Sequence, residues 1–146
     1  MTPETLTAYL HDEIPLTRAM GLTVRSIGAE GVAVTAPLSA NINHQDTAFG
    51  GSIATLGILA GWSMLHVMLK EAGVEARIVI QNSAVSYYRP ITTDLEAVCA
   101  RPDVAGWQLF LDTLGRAKIA RIPLHSELYC NGKIAATHDG LFVAQI

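Results

Sequence analysis

Residues 41–70 read NINHQDTAFGGSIATLGILAGWSMLHVMLK and decide the fold of this chain. The stretch begins as a polar segment and contains no Asp, Glu, Lys or Arg from Thr47 to Leu69. This pattern predicts a polar loop that leads into a long helix, with Thr47 or Ser52 as its N-cap or in its first turn. A helix that is apolar on all sides is either a membrane span or the core of a soluble domain. The glycines and polar residues along it, and the half-polar strands that follow, favour a core helix covered by a curved sheet.

The start of this helix is the first candidate for a functional site. The first N–H groups of a helix have no partner inside the helix, and the helix dipole is positive at that end. Gly50 and Gly51 would let another group approach the backbone closely. Such a place suits a carboxylate or a developing oxyanion.

The composition indicates one globular domain over residues 1–146, with 50% hydrophobic and 16% charged residues. So little charge leaves apolar surface to cover, which suggests a homo-oligomer. The net charge of −3 gives no reason to expect a nucleic acid or a membrane as partner. Cys99 and Cys130 have no metal or disulfide spacing and are expected to be buried free thiols. Acidic residues near the start, without a signal-peptide pattern, favour a cytoplasmic protein.

The other elements follow from apolar spacing and turn residues. A helix is predicted from Thr2, as cap, to Pro15, where it ends. Asn131-Gly132 predicts a two-residue hairpin turn, and Pro123 a bulge or an edge. Residues 102–106 form a predicted break before a short helix. The predicted strands are 22–27, 32–38, 77–89, 95–100, 118–130 and 133–145, and the short helix is 107–114.

Strict alternation along the strand 77–89 assigns its two faces. It puts Ile78 and Ile80 on one face with Asn82, and Val85 on the other face with Ser83. Asn82 and Ser83 therefore each interrupt an apolar face. They are either residues that line a pocket or paired polar groups at a sheet edge.

The order of these elements resembles the hotdog fold, with FGGS (49–52) opening the central helix and YRP (88–90) closing the long strand. The motifs NIN (41–43), TAFGGS (47–52) and LAGW (59–62) are similar to the thioesterase-like family of YiiD C-terminal domains. The resemblance covers essentially the whole chain. It implies an α+β hotdog fold, in which an antiparallel sheet is wrapped around a long central helix.

The same resemblance implies acyl-thioester substrates on acyl carrier protein (ACP) or coenzyme A. It further implies decarboxylation of malonyl-ACP, because members similar to this chain have been assigned this activity, whose product acetyl-ACP primes fatty-acid synthesis. The resemblance also implies a homodimer or a dimer of dimers with active sites between subunits. No cofactor and no metal ion are expected.

The chain departs from the broader hotdog thioesterases in its charged groups. Many of those enzymes carry a histidine before the glycine pair and a carboxylate about two turns into the helix. This chain has Phe49 before the pair and no acid in residues 55–59. Hydrolysis of a thioester needs a base or a carboxylate nucleophile, whereas decarboxylation of a malonyl thioester needs neutral donors that stabilise an enolate. The sequence therefore favours decarboxylation, and a thioesterase or a non-catalytic acyl-thioester binding module is the alternative.

The predicted catalytic residues are Asn43, Thr55 and Gly51, which provide neutral donors near the helix start. Asn43 is otherwise a loop-forming residue, and Thr55 a helix residue that bonds back to the preceding turn. The predicted substrate-binding residues are Thr47, Phe49, Gly50, Ser52, Asn82, Ser83 and Arg89.

If the protein is a hydrolase, His44 or Asp46 is the predicted base. His66 is interpreted as a satisfied core histidine, and His125 and His138 are expected to face each other across the last hairpin without forming a metal site. Four basic residues make the second half locally basic and either bind the phosphopantetheine phosphate or acidic ACP, or are ordinary surface charges. They are Arg89, Arg116, Lys118 and Arg121.

Overall fold

The computed structural model describes residues 1–146 and contains four helices and one six-stranded sheet. The helices are α1 (Pro3–Glu13), α2 (Pro15–Ala19), α3 (Gly50–Glu71) and α4 (Val104–Ala117). The strands are β1 (Thr23–Gly28), β2 (Gly31–Ala36), β3 (Arg77–Tyr87), β4 (Leu95–Ala100), β5 (Ile119–Cys130) and β6 (Lys133–Gln145). Neighbouring strands are antiparallel, in the order β1-β2-β4-β5-β6-β3. The sheet covers α3, which confirms the predicted α+β hotdog architecture.

The central helix α3 forms the core because its apolar residues point into the concave face of the sheet. Leu56 and Met64 are fully buried. By length and composition α3 is long and apolar enough to cross a membrane, but 72% of its most apolar window is buried inside the protein. The expectation that it is covered on all sides is wrong along one stripe, because the sheet ends at β3. Ser52, Thr55 and Ile58 on this stripe stay partly exposed.

The strand β3 lies at one edge of the sheet and pairs only with β6. Its register shifts between Ile80, which pairs with Phe142, and Asn82, which pairs with Leu141. The extra residue is a β-bulge, and a bulge reverses the faces of all residues beyond it. The predicted alternation is therefore wrong: Ile80 shares the inner face, towards α3, with Ser83, whereas Asn82 lies on the outer face.

The hairpin of β5 and β6 turns at Asn131 and Gly132, whose φ angles of 52° and 73° are those of a two-residue hairpin turn. The pairing of β5 with β6 is regular at Pro123, so the proline causes no bulge, and β5 is an inner strand of the sheet. The pairing of β4 with β5 reaches only to Ser126. Pro123 thus lies where β5 has no partner on its β4 side, and the predicted edge is present locally.

The first helix ends at Glu13, close to Pro15 as expected, because Ile14 has φ and ψ of −128° and 84°, outside the helical region. Pro15 then starts the separate helix α2, which was not predicted; proline is well tolerated at the first position of a helix. The expected break at 102–106 lies mostly inside α4. Asp103 caps this helix, since its side chain accepts a hydrogen bond from the N–H of Gly106 at 2.6 Å. Cys99 and Cys130 are buried free thiols, as expected.

Candidate functional site

The start of α3 presents three backbone N–H groups that the helix itself cannot pair. The N-cap residue is Phe49, and no side chain caps the helix. Of the two residues expected as cap or in the first turn, Ser52 lies in the first turn and Thr47 precedes the helix. The first bond of the helix runs from the N–H of Ile53 to the carbonyl of Phe49 at 3.1 Å. The N–H groups of Gly50, Gly51 and Ser52 precede this bond and remain available to a ligand.

Two aromatic side chains flank these N–H groups. The ring of Phe49 lies over Gly51, where an added Cβ would be 2.6 Å from Cε1 of the ring. Tyr87, at the end of β3, donates a hydrogen bond from its hydroxyl to the carbonyl of Gly50 at 2.8 Å. Both aromatic side chains are more than half exposed, as is Tyr88. Glycine at positions 50 and 51 thus lets these two rings lie against the backbone at the helix start. We call the exposed surface formed by the rings and the three free N–H groups the recess.

The loop before the helix is built by its asparagines. Asn41 is buried, and its amide donates to the carbonyls of Met20 and Pro37 at 2.9 and 2.8 Å. The side-chain oxygen of Asn43 accepts from the N–H of Gln45 at 2.8 Å and from the N–H of Thr47 at 3.2 Å. Its amide donates to the hydroxyl of Thr47 at 3.0 Å. These bonds occupy Asn43 within its own loop, which leads directly to Phe49.

Thr55 lies one turn beyond Gly51 on the partly exposed stripe of α3. Its hydroxyl donates to the carbonyl of Gly51 at 2.8 Å, so one role of Thr55 is to bond back to the preceding turn. The hydroxyl oxygen keeps its lone pairs for another donor. Thr55 is therefore close to the helix start but is an acceptor more readily than a donor.

Ser83 and Asn82, both predicted to line the site, point to opposite faces of β3. The hydroxyl of Ser83 is 2.7 Å from Nε2 of His138, on the inner face. Asn82 borders a cavity on the outer face with Pro123 and His125. Only Ser83 shares a face with Tyr87 and the helix start. His138, which was predicted only to face His125, joins the candidate site through this contact.

The predicted bases of a hydrolase do not enter the recess. His44 and Asp46 are exposed at the tip of the loop 41–49, and Asp46 has a φ of 61° in a turn. His44 is 3.4 Å from the side-chain amide of Gln45. His125 and His138 do not face each other, because they lie on opposite faces of the sheet: His125 pairs with Asp139 at 2.7 Å on the outer face.

The basic residues of the second half form no single patch. The N–H of Arg89 bonds to Ala135 near the start of β6, whereas Arg121 pairs with Val143 near its end. Eight residues of extended chain separate these positions by roughly 26 Å. Arg89 follows Tyr88 at the helix-start end, and it is the member of the group that lies near the recess. Arg121 bonds to Gln81 on the outer face.

His66 is a core residue, but its side chain is not satisfied. Its ring stacks on Tyr9 and Trp62, with centroid distances of 4.8 Å to each, and Nε2 is buried without a hydrogen bond. These three rings line one wall of a cavity of about 410 Å³ near the C-terminal end of α3. Burial, and secondarily Lys70, lowers the pKa of His66, which keeps it neutral.

Stability should fall in mild acid because of the two buried histidines. Burial lowers the pKa of His66 and of His138, with a smaller opposite effect of Asp139 on the latter. The unfolded chain therefore binds protons near the ordinary histidine pKa of about 6.5, while the folded chain does not. We expect the urea midpoint to be constant above about pH 7 and to decrease down to pH 5.5. His138→Asn should flatten this decrease, and an unchanged slope would contradict the assignment.

Comparison with known proteins assigns the family. A family model described as "Putative thioesterase (yiiD_Cterm)" matches residues 3–146. The chain belongs to this family. The three sequence motifs thus identified the YiiD C-terminal family correctly, and the substrate class of this thioesterase family is acyl thioesters.

Solved structures with the same fold include members with no assigned role. A putative thioesterase from Shewanella oneidensis is 32% identical, with a TM-score of 0.90 over 99% of this chain and 97% of that one. A protein of unknown function from Chlorobaculum tepidum is 27% identical, with a TM-score of 0.94 over 99% and 96%. A probable thioesterase from Pseudomonas aeruginosa, 21% identical with a TM-score of 0.82 over 98% and 95%, shares the fold.

Proposed function

We propose that the protein is a malonyl-ACP decarboxylase that forms acetyl-ACP. The observation that carries this proposal is the chemistry of the helix start. Three N–H donors of residues 50–52 converge there, while α3 carries no carboxylate until Glu71 and no histidine until His66. A site with donors but no base suits a reaction whose leaving group is CO2, because no water has to be activated.

The proposed mechanism uses the donors on the thioester carbonyl. The N–H groups of Gly51 and Ser52 would bind the thioester oxygen as it becomes an enolate, which is the oxyanion-hole principle. Phe49 and Tyr87 would exclude water from the recess, and Asn43 would position the loop that carries Phe49. A strong cation next to the substrate carboxylate would stabilise the ground state more than the transition state. The recess contains none, apart from Arg89 at its border.

We further propose a homodimer through β3, which would close the recess. The strand β3 is eleven residues long and has an unpaired edge, and Val79 and Tyr87 on it are more than half exposed. Such an edge readily pairs with a second strand. A partner copy added there would also cover the open stripe of α3. ACP or coenzyme A would deliver the thioester to this interface, and Arg89 at its border would meet the phosphate of phosphopantetheine.

A thioesterase is the alternative function, and one experiment separates the two. The purified protein is incubated with malonyl-ACP, and the products are weighed by intact-protein mass spectrometry. We expect acetyl-ACP, and we expect Gly51→Ala to slow its formation about 10–100-fold, because the methyl group would be 2.6 Å from the Phe49 ring and would displace it from the helix start. Gly115→Ala, in α4, provides the matched control, since nothing lies within 4 Å of a Cβ there.

The other outcomes each have a meaning. Free holo-ACP in place of acetyl-ACP would establish hydrolysis and overturn the decarboxylase proposal. Malonyl-ACP that is bound but unchanged would indicate a binding module. Equal rates for Gly51→Ala and Gly115→Ala would remove the helix start from the mechanism.

A further inference from the structure

A hydrogen-bonded pair, Ser83 and His138, lies on the inner face of the sheet, and neither residue has a place in the mechanism above. The hydroxyl of Ser83 and Nε2 of His138 are 2.7 Å apart. Ser83 is exposed on the edge strand β3, whereas His138 is fully buried on β6 beneath α3. The pair therefore joins a buried imidazole to a hydroxyl at the open side of the helix.

Two glycines make room for this imidazole. A Cβ on Gly57 of α3 would be 2.6 Å from Cβ of His138, and a Cβ on Gly140 would be 2.8 Å from its Cε1. Gly140 is also the cross-strand partner of Ser83, so no side chain at that position stands between the hydroxyl and the open side. The ring is thus fixed in position, and this fixes the direction of the bond to Ser83.

The balance of hydrogen bonds assigns the proton of the imidazole. Nδ1 of His138 is buried without a partner. A buried N–H without an acceptor is costlier and rarer than a buried acceptor without a donor, which favours a bare Nδ1 and a proton on Nε2. In this tautomer Nε2–H donates to the Ser83 oxygen, and the hydroxyl hydrogen of Ser83 is free to donate. No charged side chain shares this part of the inner face, where the cross-strand neighbours of His138 are Val85 and Ser126.

Two contacts give the level of the pair along the helix. β3 runs past α3 in the opposite direction, with Tyr87 bonded to Gly50 and the indole of Trp62 bonded to the carbonyl of Ile78. Ser83 lies between these two contacts along β3, and Cβ of His138 lies against Gly57 of α3. The pair is therefore one to two helical turns, roughly 5–9 Å, beyond the free N–H groups of the helix start. An acyl group whose carbonyl binds those N–H groups would extend in this direction.

We propose that the Ser83 hydroxyl, oriented and polarised by His138, recognises the carboxylate of a malonyl group. This inference rests on the proposed function for the position of the thioester. The chain of donors from Nε2–H to Ser83 to carboxylate is neutral, and each bond strengthens the next. It binds the carboxylate without the ion pair that would oppose loss of CO2. Ser83 is thus a specificity residue, and His138 is its positioning residue.

The test measures binding with probes that cannot react. S-(2-carboxyethyl)pantetheine and S-propylpantetheine are stable thioethers of equal chain length, one ending in a carboxylate and the other in a methyl group. We expect the protein to bind the carboxylate probe about tenfold more tightly, because one hydrogen bond to a charged group contributes about that much. Ser83→Ala should abolish this preference. Ser83→Thr keeps a hydroxyl and should retain it. Ser86→Ala, on the outer face of the same strand, is the matched control.

Three results would overturn the inference. They are equal binding of the two probes by the unaltered protein, a preference that persists in Ser83→Ala, and phosphonylation of Ser83 by a fluorophosphonate. The last would show that the hydrogen bond has the opposite direction and that the pair is a nucleophile and its base. Because the probes do not turn over, a carboxylate preference without acetyl-ACP formation would refute the decarboxylase alone.

Discussion

Leu56→Ala is expected to lower the free energy of unfolding by about 2–5 kcal/mol. Leu56 is fully buried on the face of α3 that packs against the sheet, within the single large core cluster. Removing most of its side chain forfeits the transfer free energy of the buried atoms and leaves a cavity that the surrounding strands cannot fill. The quantity to measure is the unfolding free energy from urea titrations.

Leu109→Ala is the matched control for this prediction. Leu109 also lies in a helix, α4, but its side chain is 68% exposed. The helix propensities therefore cancel, and the surface substitution should change stability by no more than about 0.5 kcal/mol. Equal effects of the two variants would mean that α3 is not the core of the fold.

Gly57→Ala is expected to destabilise the protein by about 1–3 kcal/mol, although alanine is the better helix former. The added methyl group would be 2.6 Å from Cβ and 3.0 Å from Cγ of His138. These atoms belong to the root of a buried side chain, so they move only together with β6. The carbonyl of Gly57 also accepts a hydrogen bond from the buried hydroxyl of Ser126 at 3.1 Å, which a shift of the helix would strain.

Gly115→Ala makes the same chemical change in a helix with free space around it. There the propensity gain acts alone, and we expect stabilisation by up to about 1 kcal/mol. Opposite signs for the two variants are the expected result in urea titrations. Stabilisation in both would show that α3 and β6 do not pack as closely as described. At two adjacent positions of α3, the core thus requires a large side chain at Leu56 and no side chain at Gly57.

The sequence predicted the elements whose signals are local. The charge-free run after Gly51, the Asn131-Gly132 turn and the apolar spacing of β6 are all patterns within a few residues of chain. The bulge at Gln81 has no such signal, because it arises from the pairing of β3 with β6, and it reversed the predicted faces beyond it. The cap at Asp103 did have a local signal, because an Asp ahead of apolar residues at helical spacing is typical of an N-cap. The prediction of a break at 102–106 did not use this signal.

The candidate site was predicted in part. Gly50, Gly51 and Phe49 lie at the helix start as expected, because a glycine pair before an apolar helix is a local pattern. The pair of Ser83 with His138 joins residues 55 positions apart, and only the tertiary fold brings them together. The sequence did contain one sign of this pair. His138 is four residues before Phe142 in β6, so both side chains lie on the core face, where a polar ring is unusual.

The position of β6 in the sheet also has a consequence for synthesis on the ribosome. β3 pairs with β6 alone, yet β3 emerges from the exit tunnel well before β6 has been translated. Until then both long edges of β3 are bare, and α3 lacks the strand that carries His138 and Phe142. Such long-range pairing is slow to form and leaves the nascent chain open to aggregation. The last strand therefore completes the sheet, and the chain reaches its native fold only after translation of β6.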